Sequence, residues 1–209
     1  MTSPSSESPL LVPNHHGDHP GFGGITGWIA AMTMRKGRAA AAELAIRLTN
    51  LVAGDHVVDI GCGPGVAARL AAERGATVTG VDPAEVMLRV ARRDDRQASV
   101  TWRQGAAEAL PLPDGSCDVA WSLSTVHHWP DLDRGLNEVR RVLVAGGRFL
   151  ATERLVKPGA RGHASHGWTT DQAELFAERC QSAGLASVEV TNHETERGIL
   201  LAVAAHTAP

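Results

Sequence analysis

Apolar residues follow two different periods along this chain, and from residue 56 onward the two periods alternate. Short runs rich in β-branched residues are followed by segments whose apolar positions share one face of a helix. Strands are predicted over residues 56–60, 76–82, 98–104, 117–124 and 148–154. Helices are predicted between them over residues 66–74, 84–94 and 132–143. This alternation is typical of a parallel sheet covered by helices.

The C-terminal part of the chain predicts one more helix and a strand pair. Thr169 and Gln172 have the spacing of a capping box, which predicts a helix over 170–183 that ends at Gly184. Two further strands are predicted over residues 186–192 and 198–206. Their short connection makes them antiparallel neighbours. The predicted fold class is therefore α/β, a Rossmann-like sheet of seven strands with the last strand antiparallel.

The N-terminal part has a different composition. Residues 1–13 are rich in Ser and Pro and lack a period, which predicts a flexible tail. Residues 14–52 contain two helix-like patterns and the sequence "GFGG" followed by Trp28. This segment is predicted to form an N-terminal helical lid, with an inert linker over residues 14–36 as the open alternative. The sheet domain is predicted to span 53–209.

Length and charge narrow the class of partner. A chain of 209 residues predicts one well-buried domain. The net charge of −3 gives no basic excess for nucleic acid or an anionic membrane, so a small-molecule partner is expected. No apolar stretch approaches the roughly 18 residues of a membrane helix. The three cysteines have no metal-ligand spacing. These features predict a soluble cytoplasmic protein, for which a homodimer is the expected assembly.

The sequence "VVDIGCGPG" at residues 57–65 predicts a ligand-binding turn. A buried strand ends near Asp59, and three glycines follow it, Gly61, Gly63 and Gly65. A glycine-rich turn between a strand and a helix exposes main-chain N–H groups to a polar ligand. The glycine spacing is G-x-G-x-G, whereas a dinucleotide loop has G-x-G-x-x-G, and Val66 takes the place of the third glycine. The spacing therefore argues against NAD.

An acidic residue stands at the end of the second predicted strand. Asp82 follows Asp59 by 23 residues, which suits an acid that accepts hydrogen bonds from both ribose hydroxyls of an adenosine ligand. Several classes of nucleotide cofactor share this feature, so Asp82 alone does not choose among them.

Together these motifs resemble those of class I S-adenosylmethionine-dependent methyltransferases, especially the small type that includes ubiquinone and menaquinone methyltransferases. The matching motifs are "VVDIGCGPG", "VDPAEVML", "GAAEALPLPDGSCDVAWSLSTVHHW" and "RRVLVAGGRFL", in order and at ordinary spacing. The likeness covers roughly residues 50–206 and implies S-adenosyl-L-methionine as cofactor. From "HHGDHPGFGG" and its size, the chain also resembles actinobacterial sugar O-methyltransferases of methylmannose polysaccharide synthesis.

The resemblance implies a role for several residues at the cofactor. The loop glycines would surround the methionine moiety, with Asp59 near its amino group. Asp82 would hold the ribose, and Pro83 or Met87 would pack on the adenine. The other residues implied at the cofactor are Cys62, Ala106, Ala107, Glu108 and Ser122. Purely structural roles remain open: the glycines could serve a tight turn, Asp59 could cap it, and Cys62 could be a core residue.

One position departs from the pattern of the resembled type. Where those proteins commonly have Gly-Asp-Ala-Glu, this chain has Gly-Ala-Ala-Glu at residues 105–108. The adenine amino group would then pair with a main-chain carbonyl, a water or Glu108. This loss should weaken cofactor binding by about 1 kcal/mol, the value of one hydrogen bond.

A metal site is not predicted. The N-terminal segment contains four possible ligands, His15, His16, Asp18 and His19. Their spacing matches no standard site, and His-rich tails are common.

The implied reaction is an in-line displacement at a methyl carbon, so the protein mainly has to align the acceptor and exclude water. A hydroxyl acceptor must also lose a proton, and a neutral histidine suits that task. His127 and His128, in the loop after the fourth strand, are the first candidates for the base. His166 and Glu153 are further candidates, and His163 and Trp168 could share the acceptor pocket.

The predicted function is O-methylation of a small-molecule hydroxyl, on a sugar such as a mannoside or on a phenol or quinol. C-methylation of a quinone precursor is the nearest alternative. An NAD-binding oxidoreductase and a non-catalytic methyltransferase-like binding protein also remain open.

Overall fold

A computed structural model describes residues 39–97, 99–160 and 165–209. The predicted tail and most of the predicted lid lie outside these ranges. The helices in the described ranges are α1 (Ala39–Leu48), α2 (Val66–Glu73), α3 (Glu85–Asp94), α4 (Leu132–Val142) and α5 (Thr170–Ser182). The strands are β1 (His56–Ile60), β2 (Thr77–Asp82), β3 (Val100–Gln104), β4 (Cys117–Leu123), β5 (Leu143–Arg154), β6 (Ala186–Thr195) and β7 (Gly198–His206).

The strands form one sheet in the order β3-β2-β1-β4-β5-β7-β6. Strands β1 to β5 pair in parallel, and β7 runs antiparallel to both β5 and β6. The predicted fold class is confirmed, including the antiparallel last strand. The strand order reverses between β1 and β4, and the crevice at such a switch point is where open α/β sheets bind ligands.

Helices cover both faces of the sheet. Each strand contributes side chains to both faces, because neighbouring residues of a strand point to opposite sides. On one face Phe149 packs with Leu136 of α4 and Phe176 of α5. On the other face Leu150 packs with Ala42 of α1 and with the alanines of α2. We name these the α4/α5 face and the α1/α2 face. The small alanine side chains let α1 and α2 lie close to the sheet.

The structure differs from the sequence prediction at β5. The predicted strand begins at residue 148, whereas β5 begins at Leu143. Leu143 pairs with Cys117, and the register then shifts so that Arg148 pairs with Val119. This irregularity accommodates the two glycines before residue 148, which the sequence pattern assigned to a loop. None of the helices in the described ranges is long and apolar enough to span a bilayer.

Candidate functional site

The glycine-rich turn lies between β1 and α2, at the carboxyl edge of the sheet. All three glycines have a left-handed backbone, with φ of 70° at Gly61, 54° at Gly63 and 76° at Gly65. The N–H groups of Gly61 and Cys62 donate to the Val81 carbonyl at 2.8 and 3.0 Å. These bonds tie the turn to the end of β2, so two of the predicted cofactor segments are adjacent.

Asp82 connects the ends of β1 and β2. Its Oδ2 accepts from the Gly63 N–H and its Oδ1 from the Ala84 N–H, both at 2.8 Å, and the residue is 7% exposed. A carboxylate has about four lone-pair sites, so two main-chain bonds do not exhaust its capacity. The carboxylate is thus held in place at the switch point, and its chemistry fits the two hydroxyls of an adenosine ribose.

Gly61 makes room for one of the protein's own side chains. A Cβ at this position would lie 2.6 Å from Thr125 Cγ2. The Thr125 hydroxyl donates to the Ile60 carbonyl at 3.1 Å and lies 2.7 Å from Ser122 Oγ. Ser122, implied at the cofactor by the resemblance, is fully buried and supports the turn through Thr125. In this structure it presents no surface to a ligand.

Gly65 also faces a side chain of the protein. A Cβ on Gly65 would overlap the ring of Trp102, a β3 residue. From the sequence, the glycines were predicted to let a ligand approach the main chain. In the structure, two of the three leave room for the side chains of Thr125 and Trp102. Nothing in the local pattern singles out these two residues, because Trp102 reaches the turn from β3 and Thr125 reaches it from the loop after β4.

The residues predicted to lie near the adenine follow β2. Pro83 is exposed, and its carbonyl accepts from Gln104 Nε2 at 3.0 Å. Met87 is buried in α3, where it packs with Val90. Both residues lie directly beyond Asp82, but the inward direction of Met87 makes Pro83 the more accessible of the two.

The segment at residues 106–108 lies between β3 and β4. Ala107 belongs to the core of the α4/α5 face, and Ala106 closes a tight turn with Ala109. Glu108 Oε1 accepts from the main-chain N–H of Asp131, at the start of α4, at 3.3 Å. Pairing of Glu108 with an adenine amino group would compete with this bond.

Arg141 of α4 holds the chain just after that segment. Its guanidinium donates to the carbonyls of Leu110 and Leu112 at 3.1 and 2.9 Å. It also forms two hydrogen bonds of 2.7 Å to Glu138. The hydrogen bonds from Arg141 lower the pKa of the Glu138 carboxyl, which also accepts from the Leu110 N–H at 2.8 Å. The segment is therefore anchored to α4.

His127 and Glu153 meet at the carboxyl ends of β4 and β5. The loop after β4 contains a short 3₁₀ turn, Val126–His128, that the sequence did not predict. His127 Nδ1 lies 2.9 Å from Glu153 Oε1, and Glu153 is 1% exposed. With an ionised Glu153 and a neutral imidazole, Nδ1 would donate in this contact and Nε2 would be the nitrogen that can accept a proton. Glu153, itself a candidate base from the sequence, is placed behind His127.

Three imidazoles gather at this edge. The ring centroid of His127 lies 3.9 Å from that of His128 and 5.4 Å from that of His166. Arg154 fixes the His166 main chain, because its Nε and Nη2 donate to the His166 carbonyl at 3.3 and 3.2 Å. The structure thus brings together three histidines from two loops.

Two other candidates for the acceptor pocket have different outcomes. Trp168 is 2% exposed, and its ring stacks 4.7 Å from that of Phe176 in the core, so it does not face an acceptor. His163 lies outside the described residues. Within the described ranges, no group of three or more His, Cys, Asp and Glu side chains is placed to hold a metal ion.

A cavity of about 290 Å³ opens beside the glycine turn. Its described lining includes Asp59 and Cys62 of the turn, Ser124 after β4, Arg154 at the end of β5, and residues 195–200 at the β6–β7 turn. The cavity is on the α1/α2 face, because Arg154 points opposite to its neighbour Glu153. The described lining does not include the three histidines. The cavity and the histidine cluster therefore lie on opposite sides of the ends of β4 and β5.

Comparison with known proteins identifies similar chains. Residues 58–151 match the family model described as "Methyltransferase domain". The 27-O-demethylrifamycin SV methyltransferase of Amycolatopsis mediterranei is 35% identical over 68% of this chain and 50% of that protein. The ubiquinone/menaquinone biosynthesis C-methyltransferase UbiE of Rubrivivax gelatinosus is 39% identical over 52% of this chain and 43% of that protein. The chain spans about half the length of these curated relatives.

Solved structures agree on the fold. A putative methyltransferase solved in a complex with the Haloferax volcanii Trm112 methyltransferase activator matches 88% of this chain, with a TM-score of 0.74 and 22% identity over 95% of that chain. A SAM-dependent methyltransferase from Aquifex aeolicus matches 86% of this chain, with a TM-score of 0.70 and 17% identity over 98% of that chain. Strand order, glycine turn, acidic β2 terminus, the matching family model and the sequence relatives together support a class I S-adenosylmethionine-dependent methyltransferase.

Proposed function

We propose that this protein methylates a hydroxyl group of a small molecule, with His127 as the general base. The observation that carries the proposal is the 2.9 Å contact between His127 Nδ1 and the buried Glu153 carboxylate. A base must have one defined nitrogen directed at the acceptor, and a buried carboxylate on the other nitrogen defines it.

The proton and the methyl group move in one exchange. The cofactor supplies, when bound, a methyl group on a positively charged sulfur. The glycine turn and Asp82 would hold this cofactor, which would give its methyl carbon to the acceptor oxygen and keep the electron pair of the broken carbon–sulfur bond on the sulfur. The hydroxyl proton passes to His127 Nε2, and the Glu153 carboxylate stabilises the resulting imidazolium. Glu153 is a positioning residue, since it acts through His127.

The relatives include both O- and C-methyltransferases, so the comparison does not decide which atom is methylated. The oriented base favours an acceptor whose proton has to leave, such as a sugar hydroxyl, a mannoside among them, a phenol or a quinol. C-methylation of a quinone precursor is the second candidate, supported by the likeness to UbiE and to a demethylmenaquinone methyltransferase. The same base would deprotonate a phenol whose ring carbon is then methylated.

The test compares His127→Ala, His128→Ala and Glu153→Gln with the unchanged protein. Labelled S-adenosylmethionine is supplied with sugar, phenol and quinol acceptors, and the methylated atom is located in the product. His127→Ala should lower turnover by about 10²- to 10⁴-fold, with the affinity for S-adenosylhomocysteine nearly intact. In the unchanged protein, turnover should rise with pH as the imidazole loses its proton.

Glu153→Gln separates positioning from packing, because it keeps the shape of the side chain and removes its charge. We expect a lower kcat and an altered pH profile with little change in KM. If His127→Ala keeps both turnover and the pH profile, His127 is not the base. Thermal stabilisation by NAD but not by S-adenosylhomocysteine would favour the oxidoreductase alternative.

A further inference from the structure

The cavity beside the glycine turn contains charged groups that the proposed function does not use. Arg154, at the end of β5, and Arg197, at the β6–β7 turn, both line it. Both belong to the half of the sheet beyond β4, away from Asp82. We propose that Arg154 and Arg197 bind a carboxylate group in this cavity.

The charge balance of the lining selects the kind of anion. Asp59 and Glu196 also line the cavity, so its described walls carry two carboxylates and two guanidinium groups. The described part of the lining therefore has no net positive charge to hold a multiply charged phosphate. A single carboxylate fits better, because a guanidinium can bind it through two parallel hydrogen bonds. Asp59 then suits a neighbouring ammonium group.

The two arginines are positioned in different ways. Two donors of Arg154 go to the His166 carbonyl, so its guanidinium is oriented by the chain between β5 and α5. A guanidinium has five N–H donors, which lets one group be both anchored and engaged with a ligand. Arg197 lies on a turn closed by Thr195, whose hydroxyl donates to the Gly198 carbonyl at 2.6 Å and accepts from the Arg197 N–H at 3.2 Å.

Two molecules can bring a carboxylate to this place. One is the cofactor, whose amino-acid end carries a carboxylate and an ammonium, and the turn residues Asp59 and Cys62 line the same cavity. The other is the acceptor of the proposed methyl transfer, whose proposed base His127 follows β4. The cavity of about 290 Å³ is near the lower limit for small-molecule pockets of about 300 Å³, so it suits part of a ligand. If the acceptor carries the carboxylate, the inference rests on the proposed methyl transfer. If the cofactor carries it, the inference does not.

Calorimetry on Arg154→Gln and Arg197→Gln tests the cofactor source. S-adenosylhomocysteine is compared with 5′-methylthioadenosine, which keeps the adenosine and the sulfur but lacks the amino-acid group. If the cofactor supplies the carboxylate, each substitution should lower the affinity for S-adenosylhomocysteine by about ten-fold or more. The affinity for methylthioadenosine should fall by less than about two-fold. Arg93→Gln, an exposed change at the far end of α3, is the matched control.

The acceptor source is tested by binding to the complex with S-adenosylhomocysteine. The probes are 4-hydroxybenzoate and glucuronate, each compared with its amide. If the acceptor supplies the carboxylate, an acid should bind more tightly than its amide, and both arginine variants should remove that preference. Because these readouts measure binding, they stand whether or not His127 is the base.

The proposal is overturned if both variants leave the ratio of S-adenosylhomocysteine to methylthioadenosine affinity unchanged and no acid preference is lost. Arg154→Gln also removes the bonds to His166, so its folding is checked by thermal unfolding. Arg197→Gln changes an exposed turn residue and keeps the proposal testable if Arg154→Gln does not fold.

Discussion

Asp82 is the side chain that links the cofactor turn to the rest of the site. Asp82→Ala should lower the affinity for S-adenosylhomocysteine by about 100-fold or more. Two ribose hydroxyls would lose their charged acceptor, and each such hydrogen bond contributes about 1.5–3 kcal/mol. The substitution also removes the acceptors of the Gly63 and Ala84 N–H groups, so thermal stability should fall. Calorimetry gives the affinity, and an unchanged value would contradict the placement of the ribose at Asp82.

Asp95 is a buried carboxylate whose environment makes stability depend on pH. Burial alone would raise the pKa of the Asp95 carboxyl, but hydrogen bonds from Ser99, Val100 and Trp102 lower it below its ordinary value. A carboxyl whose pKa is lowered on folding stabilises the protein above the unfolded pKa of about 3.9, and this contribution is lost as the pH falls through the folded value.

Asp95→Asn should therefore destabilise the protein at pH 7 by about 1–3 kcal/mol, since donors that face the carboxylate lose a charged acceptor. The difference in unfolding free energy between the variant and the unchanged protein should become smaller below about pH 4. Urea unfolding at several pH values measures it, with Glu174→Gln, an exposed change on α5, as control. A gap that stays constant with pH would show that the charge of Asp95 is not what stabilises the fold.

The ring of Trp102 packs over Gly80 where β2 pairs with β3. Trp102 lies beside Gly80 in the register of the two strands, and a Cβ on Gly80 would come within 2.6 Å of the ring. Gly80→Ala should therefore cost about 1–3 kcal/mol, the usual range for overpacking. In a Trp102→Leu background this cost should be smaller, because the clashing ring is gone.

Gly65 is the comparison, because its backbone is left-handed as well as crowded by Trp102. Gly65→Ala should stay destabilising by about 1 kcal/mol even with Trp102→Leu, since the strain of a positive φ does not depend on the ring. A double-mutant cycle by denaturant unfolding measures both couplings. Additive costs at Gly80 would contradict the packing explanation.

For the molecule as a whole, the described residues contain a complete sheet with both core clusters. Removal of residues 1–36 should leave a domain that unfolds cooperatively, because every core residue in the described ranges lies on α1 or after it. If residues 14–36 act as a lid, turnover should be largely lost, since the acceptor and the sulfonium remain exposed to water. Removal of residues 1–13 is the control and should change little. Full turnover by the shorter chain would make the segment a linker.

Local pattern was enough to predict the order of the elements and the edge of the sheet at which the glycine turn lies. Periods of two and 3.6 residues decide strand and helix within a few turns of chain, and a glycine turn after a strand is itself local. The turn and Asp82 therefore meet as the sequence predicts, because parallel strands end at the same edge. The start of β5 was missed, because a register shift against β4 keeps two glycines within the strand.

Contacts across the sheet were decided only by the tertiary structure. Glu153 reaches His127, and Arg154 reaches the cavity on the opposite face, because β5 pairs with β4 in a register that sets Leu123 beside Thr152. A slip of one residue would exchange the two faces and send Glu153 toward the cavity. No local pattern contains that register, which depends on the whole core. The sequence by itself therefore determined the fold class and the edge at which the glycine turn meets Asp82, and only the tertiary structure decided that Glu153 lies against His127.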